Sequence, residues 1–357
     1  MNVKVPLFLL LFPFAAFGQG FAGLGTTATD NFDVPELGTV FEFPTDLGPH
    51  ETYRIEWWYL TATLTGEDGQ DYGAQWTLFR SALEPKRTES WDSPQIWMGH
   101  AAITSANAHF HAERFGRDGS GQAGVTAVPF EAWIDDWSMM GAASVGEDAL
   151  DEIDLRARGG DWSYQLSLEA TGPLVPQGQQ GYSVKSEDGQ SSYYYSQPFY
   201  QVSGSLVLPS GTVQVTGQAW LDREWSSQPL SSDQTGWDWF SLHFENGEKM
   251  MGFQLRDRDG ESFTSGTWIS VDGTPIALAP RALVVSPLGF ADVEGREVPV
   301  SWRLRLPDYG LDITTTALND QSWMPTLFPY WEGPIRFTGS HDGRGYLEMT
   351  GYEPAQN

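Results

Sequence analysis

Along most of this chain apolar and polar residues alternate with a period of two, and Thr, Val, Trp and Tyr are enriched in the alternating runs. The pattern is clearest over Arg54–Thr65, Tyr72–Arg80, Ile96–Thr104, Trp162–Glu169, Val213–Trp225, Trp237–Glu245 and Arg303–Thr316, and it predicts strands there. Between them stand Gly66-Glu67-Asp68-Gly69, Pro209-Ser210-Gly211, Asn246-Gly247, Asp257–Gly260 and Asp342-Gly343, which supply the turn chemistry of antiparallel hairpins. No long segment carries a helical period with caps, so the expected class is all-β.

One strand pattern recurs. Glu56-Trp57-Trp58-Tyr59-Leu60 opens a hairpin that closes on Phe79-Arg80, and Asp238-Trp239-Phe240-Ser241-Leu242 opens one that closes on Leu255-Arg256. The openings share acid, Trp, aromatic, any residue, Leu, and they lie 182 residues apart, as two copies of one fold would place them. Two barrel-like or sandwich units related by duplication are expected, over 38–210 and 211–357, after a lead-in over 19–37. Chain length agrees, because a single core rarely grows beyond about 250–300 residues. The polar, turn-rich stretch 176–192 reads as a surface loop able to lie over a pocket mouth.

The first eighteen residues stand apart from this alternation. Lys4 is followed by the apolar run Val5–Phe17, and Ala16-Phe17-Gly18 puts small residues where a signal peptidase cuts. Cleavage after Gly18 and export to the periplasm or the medium are expected. The run is shorter than the roughly 20 residues of a spanning helix, and no later segment is uniformly apolar, so a membrane-integral protein is not expected. There is no cysteine, which excludes disulfides, thiolate metal sites and cysteine nucleophiles. The core must then come from 16 Trp, 13 Tyr and 20 Phe. A formal net charge of −27 repels phosphate backbones, so nucleic acid is not an expected partner.

Candidate chemistry concentrates in Gln218-Ala219-Trp220-Leu221-Asp222-Arg223-Glu224-Trp225. Strand alternation puts Trp220, Asp222 and Glu224 on one face and Leu221, Arg223 and Trp225 on the other. Two carboxyls about 6–7 Å apart beside an indole should drive one pKa upward, which is how a site holds a protonated acid near neutral pH. The alternative is a pair of carboxylates neutralised by arginines. Tyr193 and Tyr195 share a face in the aromatic run that follows the polar loop, and suit either an apolar ligand with one polar end or a cationic transition state. His109, His111 and Glu113 share a strand face, but only three ligands are local and no second cluster accompanies them, so no metal is assigned. No phosphate-binding glycine loop and no Gly-x-Ser-x-Gly elbow is present, and no cofactor is expected.

Several motifs in order resemble the AttH-like family, which also includes bacterial carotenoid 1,2-hydratases. They are Glu56-Trp57-Trp58-Tyr59, Thr77-Leu78-Phe79-Arg80, Gly99-His100-Ala101, Tyr194-Tyr195-Ser196, Trp220–Trp225, Gly236-Trp237-Asp238-Trp239, Tyr330-Trp331-Glu332-Gly333 and Gly345-Tyr346-Leu347-Glu348, spanning about residues 40–352. The resemblance implies two lipocalin-like domains with a pocket near their junction and a lipophilic, isoprenoid-like small molecule as partner. In the hydratase branch an aspartic acid matching Asp222 protonates a terminal carbon–carbon double bond. Trp220, Tyr193 and Tyr195 would then steady the cation, Glu224 or Tyr195 would orient the water, and Glu56, Trp58, His100, Trp237 and Trp239 would help to bind the substrate. The Asp-Arg-Glu-Trp and Tyr-Trp-Glu-Gly wording is closer to the AttH branch than to the pigment enzymes. Two other readings stay open: a non-catalytic carrier of a lipophilic molecule, and a secreted hydrolase using Asp222 and Glu224 as a pair, for which carboxyl separations of about 5–5.5 or 6.5–9.5 Å are diagnostic.

Overall fold

Strand formation follows the alternation, in a computed structural model that describes residues 21–22, 31–86, 92–142, 148–228, 230–231, 233–260 and 262–354. The signal segment and most of the lead-in lie outside these residues. Strands β1 (Ile55–Gly66), β2 (Asp71–Ala82), β3 (Gln95–Ser105) and β4 (Ala108–Arg117) form one meander. A second contains β5 (Ala123–Ala127), β6 (Phe130–Ile134), β7 (Trp137–Gly141), β8 (Glu152–Arg158) and β9 (Ser163–Ala170). The short β10 (Val175–Pro176) and β11 (Tyr182–Val184) pair with β12 (Ser191–Leu208), which turns directly into β13 (Gly211–Gln228). Together they make one antiparallel sheet in the order β4-β3-β2-β1-β13-β12-β9-β8-β7-β6-β5.

The other sheet is built from β14 (Gln234–Phe244), β15 (Lys249–Asp257), β16 (Ser262–Ile269), β17 (Pro275–Ala277) and β18 (Val284–Val293). It continues with β19 (Arg296–Leu306), β20 (Leu311–Ala317), β21 (Trp323–Met324), β22 (Tyr330–Gly339) and β23 (Gly343–Thr350). Its order is β17-β16-β15-β14-β23-β22-β20-β19-β18, with β21 beside β22. No α-helix occurs among the described residues, and so no helix there is long and apolar enough to cross a membrane. The first sheet curls until its two ends meet: Arg114 of β4 donates to Ile134 O of β6 at 3.3 Å and covers the Trp137 ring of β7 at 4.3 Å.

The turn at Pro209-Ser210-Gly211, placed by the sequence between the two units, is the tip of a long hairpin within the first sheet. Passage from one sheet to the other comes later, between Gln228 and Gln234. The duplication reappears as matching register. Trp57 of β1 stands opposite Phe79 of β2 and Glu224 of β13, while Trp239 of β14 stands opposite Phe253 of β15 and Glu348 of β23.

Burial separates two kinds of strand. Outer strands such as β9 and β20 alternate buried and exposed positions, as strands with one wet face must. Strands β1 and β14 are covered on both faces over most of their length, and β13 over Ala219–Ser227. Trp58, Leu60, Leu221 and Trp225 point into the core of the first sheet, and Phe240, Leu242, Trp302 and Leu347 into that of the second. Tyr59, Tyr194, Trp220, Trp239, Phe253 and Tyr346 fill a third apolar cluster where the sheets meet. Polar side chains that face this third cluster are the ones withdrawn from water for a reason other than folding one sheet.

Candidate active site

Such polar side chains gather on β13. Asp222 is 2% exposed and accepts three hydrogen bonds: from Ser196 Oγ at 2.5 Å and Trp220 Nε1 at 2.6 Å on Oδ1, and from the Tyr194 hydroxyl at 2.7 Å on Oδ2. No arginine or lysine pairs with it among the described residues. Burial pushes its pKa up to about 7; the three donors pull the other way, and the neighbouring Glu224 charge adds to the rise. Desolvation, with no counter-ion to oppose it, thereby favours the protonated form of this aspartic acid far more than in water.

Glu224 shares that face in a different electrostatic setting. It accepts the Ser192 hydroxyl and pairs with Lys185 Nζ at 2.9 Å, whose ammonium also lies over the Phe253 ring at 4.4 Å and the Tyr194 ring at 5.0 Å. Across the interface stands a third carboxyl, Glu348 of β23. Trp237 Nε1 donates to its Oε1 at 2.7 Å, and burial followed by the charges of Asp222 and Glu224 pushes it up to about 7. All three carboxyls line a cavity with about 860 Å³ of empty space, part of it continuous with solvent. Its remaining wall is largely aromatic: Trp57, Tyr59, Phe79, Tyr194, Trp237, Trp239, Phe253, Phe328 and Tyr330, with Phe21 and Leu255 closing gaps.

The sequence-derived candidates divide cleanly. Asp222, Glu224, His100, Trp237 and Trp239 line the cavity, and Trp220 backs it through its bond to Asp222. Tyr193 and Tyr195 do not. In the β12–β13 register Tyr195 pairs with Arg223 and Tyr193 with Trp225, so both project into the core of the first sheet; their hydroxyls bind Glu36 and Asp46 backbone oxygens. Their neighbour Tyr194 pairs with Glu224 and takes the cavity face instead.

Glu56 and Trp58 are also remote from the cavity. Glu56 is fully buried, bound by Arg80 and Arg223 and by His50 Nδ1 at 3.2 Å, while Trp58 stacks its ring on the Arg223 guanidinium at 3.7 Å and donates to Leu47 O. Burial opposes the charge on Glu56, but the charges of Arg80 and Arg223 hold it well below the usual carboxylate range. Arg223 therefore neutralises Glu56 beneath the sheet and leaves Asp222 alone above it. Glu113, in the sequence a conceivable metal ligand, instead bonds His100 Nε2 at 3.2 Å and Leu327 N at 2.8 Å.

Sequence reasoning missed Tyr194, Lys185, Trp57 and Glu348. Glu348 had a signal available: the duplicated opening places it opposite Trp239 as Glu224 is placed opposite Trp57.

The AttH-like family model matches residues 34–352. The crystal structure of an AttH candidate from Nitrosomonas europaea is 30% identical, covers 90% of this chain and 100% of that one, and superposes with a TM-score of 0.78. Kievitone hydratase from Nectria haematococca is 16% identical over 91% of this chain and 97% of that one, with a TM-score of 0.68. CghA, crystallised with Sch210972, is 13% identical over 93% and 99%, with a TM-score of 0.55. At such identities the last two show a shared fold. No curated protein sequence matches the chain. Because the family model spans most of the length and a relative at 30% identity aligns over its whole chain, this protein belongs to the AttH-like family, in two lipocalin-like antiparallel β units.

Proposed function

We propose that the cavity between the sheets hydrates, or in reverse dehydrates, a lipophilic small molecule of isoprenoid type, with Asp222 as the acid. The observation that carries this reading is the setting of Asp222: a protonatable carboxyl on an aromatic cavity, oriented by Ser196, Tyr194 and Trp220 and paired with no cation. The Asp222 proton passes to the terminal carbon of a double bond, the π electrons form the new C–H bond, and a cation is left on the adjacent carbon. The faces of Trp57, Trp239 and Tyr194 stabilise that cation electrostatically. Water then adds its oxygen to the cation and loses one proton to a cavity carboxylate, so the product differs from the substrate by one water.

A hydratase on the same fold supports this class of reaction. A carrier would have no use for an unpaired acid, and a glycosidase pair is disfavoured because Glu224 is held by Lys185. A carotenoid is one member of the isoprenoid class. Export after Gly18 belongs to the proposal, supported by Lys4 and the apolar run Val5–Phe17. The test is organic extraction of protein purified from its own envelope, with native mass spectrometry of the bound molecule, then turnover of that molecule. Gain or loss of one water with wild type, abolished in folded, ligand-binding Asp222→Asn, supports the reading. Undiminished turnover by Asp222→Asn, or a bound molecule that never reacts, overturns it.

A further inference from the structure

Glu348 holds the place of Glu224 in the duplicated fold, yet it meets no cation among the described residues; its donor is an indole. Behind it the polar groups continue. Glu348 stands directly opposite Glu332 in the β22–β23 register, and the Tyr59 hydroxyl donates to Glu332 Oε1 at 2.5 Å. Glu332 is 1% exposed and is held well above the carboxylate range by burial and by Glu348, which favours its protonated form. Tyr330, two residues away on the same face of β22, couples to this carboxyl without closing a full hydrogen bond, which leaves Glu332 Oε2 without a partner. The Tyr330 hydroxyl lies 3.0 Å from His100 Nδ1. His100 Nε2 lies 3.2 Å from Glu113 Oε1, and the Glu113 side chain is 23% exposed.

Hydrophobic packing explains none of this. A buried neutral carboxyl with an unpartnered oxygen destabilises the fold, and apolar residues of similar volume would close the interface better. What the arrangement provides is a run of exchangeable groups, hydrogen-bonded at Tyr59–Glu332, Tyr330–His100 and His100–Glu113 and juxtaposed at Glu348–Glu332 across β22 and β23. Every member both gives and accepts a proton: a carboxyl, a phenol, a carboxyl, a phenol, an imidazole kept neutral by burial, and a carboxylate at the surface.

We propose that Glu348, Tyr59, Glu332, Tyr330, His100 and Glu113 form a proton path from the cavity to solvent, with Glu348 as its inner terminus. Its use in turnover rests on the hydration reading; its existence does not. In hydration Asp222 gives a proton to carbon, the added water gives one to the Glu348 carboxylate, one proton leaves through Glu113, and Asp222 recovers one from water as product departs. Proton count is conserved, and a cavity sealed by an apolar substrate can still shed charge.

The experiment is infrared detection of hydrogen–deuterium exchange at the protonated carboxyl of Glu332, in full-length protein without substrate, the band being assigned by its loss in Glu332→Gln. Glu348→Gln removes the inner terminus, and because Tyr59, Tyr330 and His100 also line the cavity, this variant is measured with the cavity filled by a long-chain alkane, which leaves exchange only the outer exit. Adding Glu113→Gln, which keeps an acceptor for Leu327 N, should then slow exchange by about tenfold or more, the effect of about 1.4 kcal/mol on the barrier. An unchanged rate in the double variant overturns the path. Because no substrate is present, that failure is distinct from failure of the hydratase reading, which Asp222→Asn turnover decides.

Discussion

The Tyr194 hydroxyl donates to Asp222 Oδ2 at 2.7 Å and accepts Trp239 Nε1 at 3.1 Å, so one phenol ties the acid of the first sheet to an indole of the second. This bond stabilises the ionised form of Asp222 and limits the rise that burial imposes. In Tyr194→Phe the carboxylate loses a donor, and a hydrogen bond to a charged group contributes about 1.5–3 kcal/mol. At 1.36 kcal/mol per pKa unit, Asp222 should titrate roughly one to two units higher. Infrared titration of the protonated-carboxyl band reads this directly, and Tyr195→Phe, on the opposite face, should leave the band where it is.

Stability should fall as pH rises through neutrality. Asp222 has a folded-state pKa raised from 3.8 to about 7, so the folded protein binds more protons than the unfolded chain between those values. Stability is therefore fully favoured by this group below about 4 and lost as pH climbs to about 7, by roughly 4 kcal/mol for a shift of this size. Glu348, raised to about 7, acts in the same direction. Urea midpoints measured from pH 5 to pH 9 should decline, and Asp222→Asn should flatten the slope. A slope unchanged by Asp222→Asn would show that the carboxyl is ionised throughout.

Glu56 should behave as a structural residue, contrary to the binding role expected from its motif. Glu56→Gln leaves Arg80 and Arg223 buried without their counter-charge, which typically destabilises by about 3–5 kcal/mol. Denaturant unfolding measures the loss. Binding of a cavity ligand by protein that remains folded should be unaffected, because Glu56 does not line the cavity.

Alternation was enough to read the strands, and it also assigned the two faces of β13, because a period of two admits no other division of Trp220, Asp222 and Glu224 from Arg223. It failed on β12. Which of Tyr193, Tyr194 and Tyr195 faces Asp222 depends on the register of β12 against β13, interrupted at Ser191/Tyr193 and at Gln197/Tyr200, and no single-strand pattern encodes an irregularity on its partner. The unit boundary was missed for a related reason. Pro209-Ser210-Gly211 is a turn in either case, and only pairing shows that both flanking strands stay in one sheet. Three-dimensional convergence of Glu348, Lys185 and Asp222 from distant segments has no local signature, apart from the duplicated Trp and acid.

Register also offers a way to move the acid without touching it. Gly217 of β13 packs so closely on β1 that an added Cβ would stand 2.1 Å from Thr63 O and 2.9 Å from Leu64 Cα, both backbone atoms unable to turn aside. Gly217→Ala must separate β1 from β13 locally, and overpacking of this kind destabilises by about 1–3 kcal/mol or more. The pairing runs on from Gly217 opposite Leu64 to Asp222 opposite Tyr59, so the disturbance reaches the acid through five residues of shared ladder. The variant should lower the thermal midpoint and weaken the Tyr194 bond, moving the Asp222 titration upward as Tyr194→Phe does. Gly211→Ala, at a hairpin tip where an added Cβ meets nothing within 4 Å, has a φ of +132° and is the control for backbone strain alone: it should destabilise while leaving the Asp222 titration in place.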